Sequence, residues 1–418
     1  MKLSDKKILV VSHNAFSSFT NNGKTLEAIL QGFKKENISQ LFFLAESPDY
    51  TFCEHYFRIT DKDILICLLS SKTPGNIVKK TDIQDELLSK KRSSLYRVIS
   101  KISHQFPQLR DLYWLKRKWC NDALKTWSKT IDPDFIFFVG GPHRFAHDIA
   151  LFLSDFLQKP LATFFTDDYL QVDIPNRTCG NKRLKKIYQK TIDRSSALFA
   201  CCDYMSSEYS AFFSRSFHSL LNTMEITPYA DYIKTEEVVI SYFGGLHLNR
   251  DNMIIRLAGY LDKNCELRVY SNSILTTVQE TRFKEAGVRI MPCLNGQALW
   301  HALLYSDILL HVESDDQKNQ KFTRLSLSTK LPEYMMAGRC ILAYGPQEVS
   351  SIRILKDNHI GCVISSTDDE KDIKAKLFQV TKDFDYRKQL GLSAYNYAVS
   401  HLNRNVISDH FVKIINDI

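Results

Sequence analysis

Two doubly wound α/β domains are the architecture this sequence predicts, and three observations carry it. Short apolar runs bounded by turn residues alternate with amphipathic, helix-length segments through most of the chain. A polar, turn-rich stretch at residues 223–237, containing Pro228, interrupts that alternation. The chain has 418 residues, 44% hydrophobic and 24% charged, which is ordinary globular composition and too long for one typical core. The expected division is a first domain at 1–222, a linker at 223–237 and a second domain at 238–399. Residues 400–418 are expected to form a terminal helix. Val406, Ile407, Phe411, Val412, Ile414 and Ile415 give that helix an apolar side to bury.

In chain order, buried strands are expected at 7–12, 39–44, 64–69, 135–139, 161–166 and 197–201. A polar loop with His13, Asn21, Asn22 and Gly23 follows the first strand, and a helix runs from about Thr25 to Lys34. Gly23-Lys24-Thr25 echoes a phosphate loop, but the glycine that motif needs five residues earlier is Ser18, so the pattern reads against a P-loop. Asp132-Pro133-Asp134 precedes its strand and reads as a turn, because ligands of open α/β sheets bind beyond strand C-termini.

Gly140-Gly141-Pro142-His143 sits at the correct end of its strand, and His143 would start the next helix. His13 and His147 are rivals for its role. Asp167 and Asp168 also lie at a strand end, where a carboxylate can take a proton or position hydroxyls. Adjacent residues point different ways, so at most one of them faces a reacting centre; the alternative is a turn cap.

The second half opens with a strand at 238–243, the turn Gly244-Gly245 and a helix carrying Ile254, Ile255, Leu257, Ala258 and Leu261. Further strands are expected at 267–270, near 288, at 306–313, at 340–344 and at 360–364. Residues 314–326 read as a loop, and helices are expected near 368–382 and 385–399. The most informative stretch is residues 328–346, one short helix running straight into one buried strand. Ser328 or Thr329 can cap the helix, Pro332 suits its first turn, and Gly338 can end it in the left-handed conformation. A helix start with small hydroxyl residues attracts an anion, and Lys330 adds a full positive charge there. Glu333, in the first turn, either complements the dipole or holds two vicinal hydroxyls such as those of a ribose.

The order Ser-Thr-Lys-Leu-Pro-Glu-Tyr-Met-Met-Ala-Gly-Arg-Cys-Ile-Leu-Ala, from Ser328 to Ala343, resembles the donor-nucleotide motif of GT-B glycosyltransferases. The likeness is to the group 1 or family 4-like enzymes of bacterial surface polysaccharide biosynthesis. Cys340 stands where proline is usual. Leu325 stands where many relatives carry the first Glu of an E-x7-E pair whose second member matches Glu333. Gly244 and Arg250 match the family's Gly-x5-[KR], whose cation neutralises the donor diphosphate, but Gly245 replaces a frequent arginine and leaves one charge missing.

The resemblance implies two Rossmann-like domains facing across a cleft, with the helix at 400–418 crossing back to the first domain, and metal-independent transfer, with retention, from a nucleotide-diphosphate sugar to a lipid-linked or growing surface glycan. No cofactor is implied beyond the donor. His143 would lie next to the donor sugar. Pro292, Cys293 and Leu294 would contact the base, and Ser328, Thr329, Lys330 and Glu333 the rest of the donor. His13, Asn21, Asn22 and Gly23 would form the acceptor-side loop. Alternatives with the same fold are a non-catalytic nucleotide-sugar-binding scaffold subunit and a nucleotide-sugar epimerase.

Net charge is +8, concentrated at residues 72–129, where 14 Lys or Arg face 5 Asp or Glu. Between 90 and 127 the cations alternate with Trp114, Trp119, Trp127 and other aromatics, a pattern that suits an anionic membrane surface. No nucleic-acid-binding signature accompanies them. The ten cysteines show no C-x-x-C pair and read as reduced core residues. With no apolar run of transmembrane length and no secretory signal pattern, the expected location is cytoplasmic, peripheral at the inner face of the cell membrane.

Overall fold

The computed structural model describes residues 3–17, 21–70, 72–80, 107–170, 178–234, 236–262 and 264–418. The chain divides into two compact units, Met1–Leu220 with Ile407–Ile418, and Leu221–Val406. In the first, β1 (Ile8–Ser12), β2 (Ile38–Phe42), β3 (His55–Arg58), β4 (Asn76–Val78), β5 (Phe135–Gly140), β6 (Leu161–Phe165), β7 (Ala197–Ala200) and β8 (His218–Ser219) build one sheet. Their order is β4-β3-β2-β1-β5-β6-β7-β8, and every neighbouring pair is parallel except β3 with β4. Parallel strands need both faces covered. Accordingly Ile8 to Val11 and Ile136 to Phe138 are fully buried.

Residues 64–69 are not the expected strand but part of the helix Asp61–Leu69. Thr60 gives the reason. Its hydroxyl accepts the Asp63 N–H while the Asp63 carboxylate returns to the Thr60 N–H, a capping box that a short apolar run conceals. The first helix begins at Asn21, four residues ahead of the expected start. The C-terminal helix, Arg404–Asn416, packs Phe411 against Phe33, Phe137 and Phe199, with ring centroids 6.0, 4.9 and 5.2 Å apart. The Lys6 ammonium donates to the carbonyls of Ile415 (2.7 Å) and Ile418 (3.2 Å), where a cation meets both orphan acceptors and the negative end of the dipole.

The second unit holds β9 (Val238–Phe243), β10 (Cys265–Ser271), β11 (Val288–Pro292), β12 (Ile308–Val312), β13 (Cys340–Gly345) and β14 (Cys362–Ser365). They are all parallel in the order β11-β10-β9-β12-β13-β14. Ile240, Leu310 and Leu342 from the sheet pack with Met253, Ile254 and Leu257 from one helix and Ile373 and Leu377 from another. Much of the stretch read as a linker is bound to this unit. Tyr232 is buried and donates to the Asp307 carbonyl (2.6 Å), while Arg387 donates to the Tyr232 oxygen (3.0 Å). Arg339 donates to the carbonyls of Ala230, Asp231 and Leu304. Residues 314–326, read as a loop, contain the helix Gln317–Thr323. The Asp316 carboxylate starts it by accepting the Lys318 and Asn319 N–H groups.

Chain order reverses once inside each sheet, between β1 and β5 and between β9 and β12. In doubly wound sheets the crevice beyond the carboxyl ends at such a reversal is where ligands bind. The residues after those four strands are therefore where chemistry is expected.

Phe411→Ala should lower stability by about 3–5 kcal/mol, because it opens a cavity among three rings. Urea unfolding reads this directly, and an unchanged midpoint would mean that the C-terminal helix does not hold the first sheet.

Candidate functional site

At the reversal of the second sheet three segments meet. The loop after β9 runs from Gly244 to Arg250, which begins the helix Arg250–Ala258. Glu313 follows β12, and Lys330 precedes the helix Leu331–Met336. Glu313 is only 2% exposed. Its carboxylate lies 3.2 Å from Arg250 Nη2 and 3.3 Å from Nε2 of the fully buried His311. The Lys330 ammonium donates to the Tyr242 hydroxyl (3.1 Å) and sits 4.2 Å from the centre of that ring. Tyr242 in turn donates to the Gly245 carbonyl (2.6 Å). Arg250 Nε is buried and has no hydrogen-bond partner.

The charges interact strongly. Burial alone would raise Glu313, yet the Arg250 guanidinium, His311 and Lys330 hold its carboxyl down at about 2. Burial, and next the neighbouring Arg250, bring the Lys330 ammonium down to about 7 against the pull of Glu313. Arg250 and Lys330 thus fall within electrostatic reach of one carboxylate.

Other contacts fix the three segments. The Phe243 N–H donates to the Tyr334 hydroxyl (3.0 Å), which ties the helix after Lys330 to β9. Arg256 donates to the Tyr344 hydroxyl (2.6 Å) and pairs with Asp315 at 2.7 Å, which ties the helix after Arg250 to β13 and to the loop beyond β12.

The capping expected of Ser328 or Thr329 is not what forms. The N-cap is Lys330, without a side-chain cap, and the Ser328 N–H donates to Ser351 Oγ at 2.8 Å. The helix is a single turn and a half, so Lys330 itself supplies the charge there. Gly338 ends it with φ +64°, as expected. Glu333 is half-buried in the first turn, and Leu325, where a glutamate is usual, is buried. Pro292, Cys293 and Leu294 lie at the end of the edge strand β11, with Pro292 and Cys293 exposed.

At the reversal of the first sheet, His13 follows β1 and His143 follows β5, at the start of the helix Arg144–Leu157. Their rings lie 4.5 Å apart. Arg110 Nη1 contacts both ring nitrogens of His143 at 3.2 and 3.3 Å. Asp61 orients Arg110, accepting from its Nε at 2.9 Å and from Trp114 Nε1 at 2.7 Å. Burial, and then Arg110, push His13 down to about 4.

The rival His147 is a core residue, fully buried between Thr191 Oγ1 (2.9 Å) and the Gly141 carbonyl (3.0 Å). Asp168 is buried and accepts from the Tyr209 hydroxyl (2.9 Å) and the Leu170 N–H (3.2 Å), which is the turn-cap role. Asp167 is half-buried and accepts from Tyr169 and Thr166, each at 3.3 Å. Asn21, Asn22 and Gly23 fall inside the first helix rather than in a loop. A Cβ at Gly23 would come within 2.5 Å of the Ser17 backbone nitrogen, so this glycine serves chain packing.

Sequence reasoning missed Glu313, Arg110 and Asp61. Glu313 ends a buried strand, the same signal that singled out Asp167. Nothing local distinguishes Arg110 from its basic neighbours. Within the region read as a membrane surface, Trp114, Trp119 and Trp127 are core residues. Among the described residues near the first two, Leu112, Leu115, Lys116 to Lys118, Asp122 and Ala123 present exposed side chains, and residues 90–106 lie outside the described residues. The aromatic half of that pattern therefore faces inward. Among the described residues no helix is long and apolar enough to cross a membrane.

No protein-family model matches the sequence, and no curated protein matches it. Solved structures do resemble it. HepE from Anabaena, solved with UDP and glucose, superposes with TM-score 0.63 at 10% identity, over 99% of this chain and 100% of that one. An α,α-trehalose-phosphate synthase (UDP-forming) from Burkholderia vietnamiensis gives 0.61 at 9% identity, over 99% and 100%. WaaG, a glycosyltransferase involved in lipopolysaccharide biosynthesis, gives 0.55 at 11% identity, over 97% and 99%. The chain has the GT-B fold that these proteins share.

Lys330 yields a pH prediction. Its folded-state pKa lies below the unfolded value, so the unfolded chain binds its proton more readily, and the resulting penalty is full below about pH 7. Lys330→Met should therefore raise the ligand-free melting temperature by ~2–4 °C at about pH 6, with the gain fading toward about pH 10. Thermal melts across that range check the sign, and a variant destabilised at about pH 6 would contradict it.

Proposed function

We propose that the chain is a glycosyltransferase that moves a sugar from a nucleotide-diphosphate sugar to a hydroxyl acceptor. The observation that supports this most is the meeting of Arg250 and Lys330 at the β9–β12 reversal, on a GT-B scaffold. In the reaction the bond between the sugar carbon and the diphosphate oxygen breaks. A new bond forms to the acceptor oxygen, and the acceptor's proton must be removed. Negative charge gathers on the departing diphosphate, so pre-placed cations lower the barrier most when they face that group. Arg250 keeps one nitrogen on Glu313 while its Nε has no partner, which leaves a fork arm for a phosphate oxygen. An arriving diphosphate also favours the charged form of Lys330.

Glu333 is assigned to the ribose hydroxyls. His143, oriented by Arg110, and His13 are assigned to the substrate-facing end of the first unit. The resemblance to surface-polysaccharide enzymes favours retention at the sugar carbon, charge stabilisation by side chains without a metal, and a glycan or lipid-linked acceptor. Exposed Lys116 to Lys118 beside Leu112 and Leu115 would suit an anionic surface that carries such an acceptor.

Thermal shifts with UDP-glucose, GDP-mannose and ADP-glucose test the reading. A donor at about 100 times its Kd should add ~2.7 kcal/mol of stability. Arg250→Ala, measured against its own ligand-free baseline because Glu313 loses its partner, should bind at least ~10-fold more weakly. No shift with any of the three in the wild type would remove the donor site. Binding without hydrolysis or transfer would favour a scaffold role, and interconversion of free sugar nucleotides an epimerase.

A further inference from the structure

The loop between β9 and the helix Arg250–Ala258 carries a basic side chain that the donor site described above does not use. Both its glycines lie beneath basic groups. A Cβ on Gly244, whose φ is +134°, would come within 2.9 Å of Lys330 Nζ. A Cβ on Gly245 would come within 2.5 Å of His247 Nδ1 and 2.7 Å of its Cε1. The His247 ring therefore lies over Gly245, in space that any other residue there would fill. The missing side chain at Gly245 is the condition for this placement.

The loop holds that placement. The Tyr242 hydroxyl donates to the Gly245 carbonyl, and the Leu246 N–H donates to Ser273 Oγ at 3.0 Å. Leu248 and Asn249 are both left-handed, with φ of +60° and +62°. That conformation is strained for a leucine, and it reverses the chain so that His247 and Arg250 come to the same end of the sheet. Tyr242 also receives the Lys330 ammonium, so one phenol fixes both the loop and the lysine.

Charge accounting shows why the imidazole matters. Arg250 is compensated by Glu313, and His311 is fully buried beside the same carboxylate. Lys330 alone leaves less positive charge than the two negative charges of a sugar-nucleotide diphosphate. His247 is exposed, so an anion can reach it. Arg250 and Lys330 face it as cations and Glu313 as an anion. Partial desolvation, then the neighbouring Arg250 and Lys330, lower its pKa. A diphosphate arriving between these cations reverses the sign of the field.

The geometry points to His247 as a third basic ligand of the diphosphate, taking up a proton as the donor binds. This rests on the donor-site reading and adds to it a residue and a pH dependence. Because the imidazolium is favoured by acid, donor affinity should rise as pH falls through the histidine range.

The test is calorimetric titration of UDP-glucose, GDP-mannose and ADP-glucose into the full chain. Their diphosphates do not titrate near neutrality. The tightest binder is then followed at about pH 6 and about pH 8 in buffers of different ionisation enthalpy. His247→Gln should weaken binding roughly 5–10-fold at about pH 6, converge to within about twofold of wild type at about pH 8, and take up fewer protons per donor bound. Gly245→Ala displaces the ring without removing it and should reproduce the loss at about pH 6. Equal affinity and proton uptake in wild type and His247→Gln at both pH values would overturn this inference alone. Failure of the wild type to bind any of the three would overturn the donor-site reading and this inference together.

Discussion

A single buried carboxylate organises the second unit. Glu313 is enclosed, and an enclosed charge without a partner is among the most destabilising features a core can hold. One partner comes from elsewhere in the sequence, Arg250 from the loop after β9, and the other, His311, from the strand that Glu313 follows. Lys330, from the segment before β13, adds to the same field. Satisfying Glu313 therefore brings together the loop after β9, the end of β12 and the segment that carries Lys330. The same pairing compensates the guanidinium and keeps the net charge of the cluster low.

The first unit uses the same device with different groups. Asp61 is the first residue of a capped helix, and it fixes Arg110 and Trp114 together. Arg110 then meets His143 at the reversal between β1 and β5. In both units a carboxylate holds an arginine, and the arginine acts on the residues at the strand ends. Parallel sheets make this economical, because the strands carry the core and leave their carboxyl ends free to vary. The tyrosines support the polar part. Tyr242, Tyr334 and Tyr232 each bury a ring in the core and use the hydroxyl to join segments distant in sequence.

The features legible in the sequence are those whose signals are local. The alternation of buried runs and helices, the GT-B architecture, the left-handed Gly338, the turn at Asp132–Asp134 and the basic pair Arg250 and Lys330 all appear within short windows. Where a local signal was ambiguous the reading failed. Residues 64–69 are apolar enough for a strand, and the capping box at Thr60 decides for helix. Alternating Trp and Lys looks like a membrane face until packing shows that Trp114, Trp119 and Trp127 face the core. The Ser328 amide looked available for an anion, and it is taken by Ser351 from another helix.

The sequence by itself determined the class of fold, because hydrophobic period, glycine turns and short motifs act over a few residues. Only the tertiary structure decided which groups share a charge. Glu313 with Arg250, Arg110 with His143, and His247 over Gly245 are pairings made by strand order and loop geometry. Electrostatic coupling depends on distance in space and on burial, and neither can be read from distance along the chain.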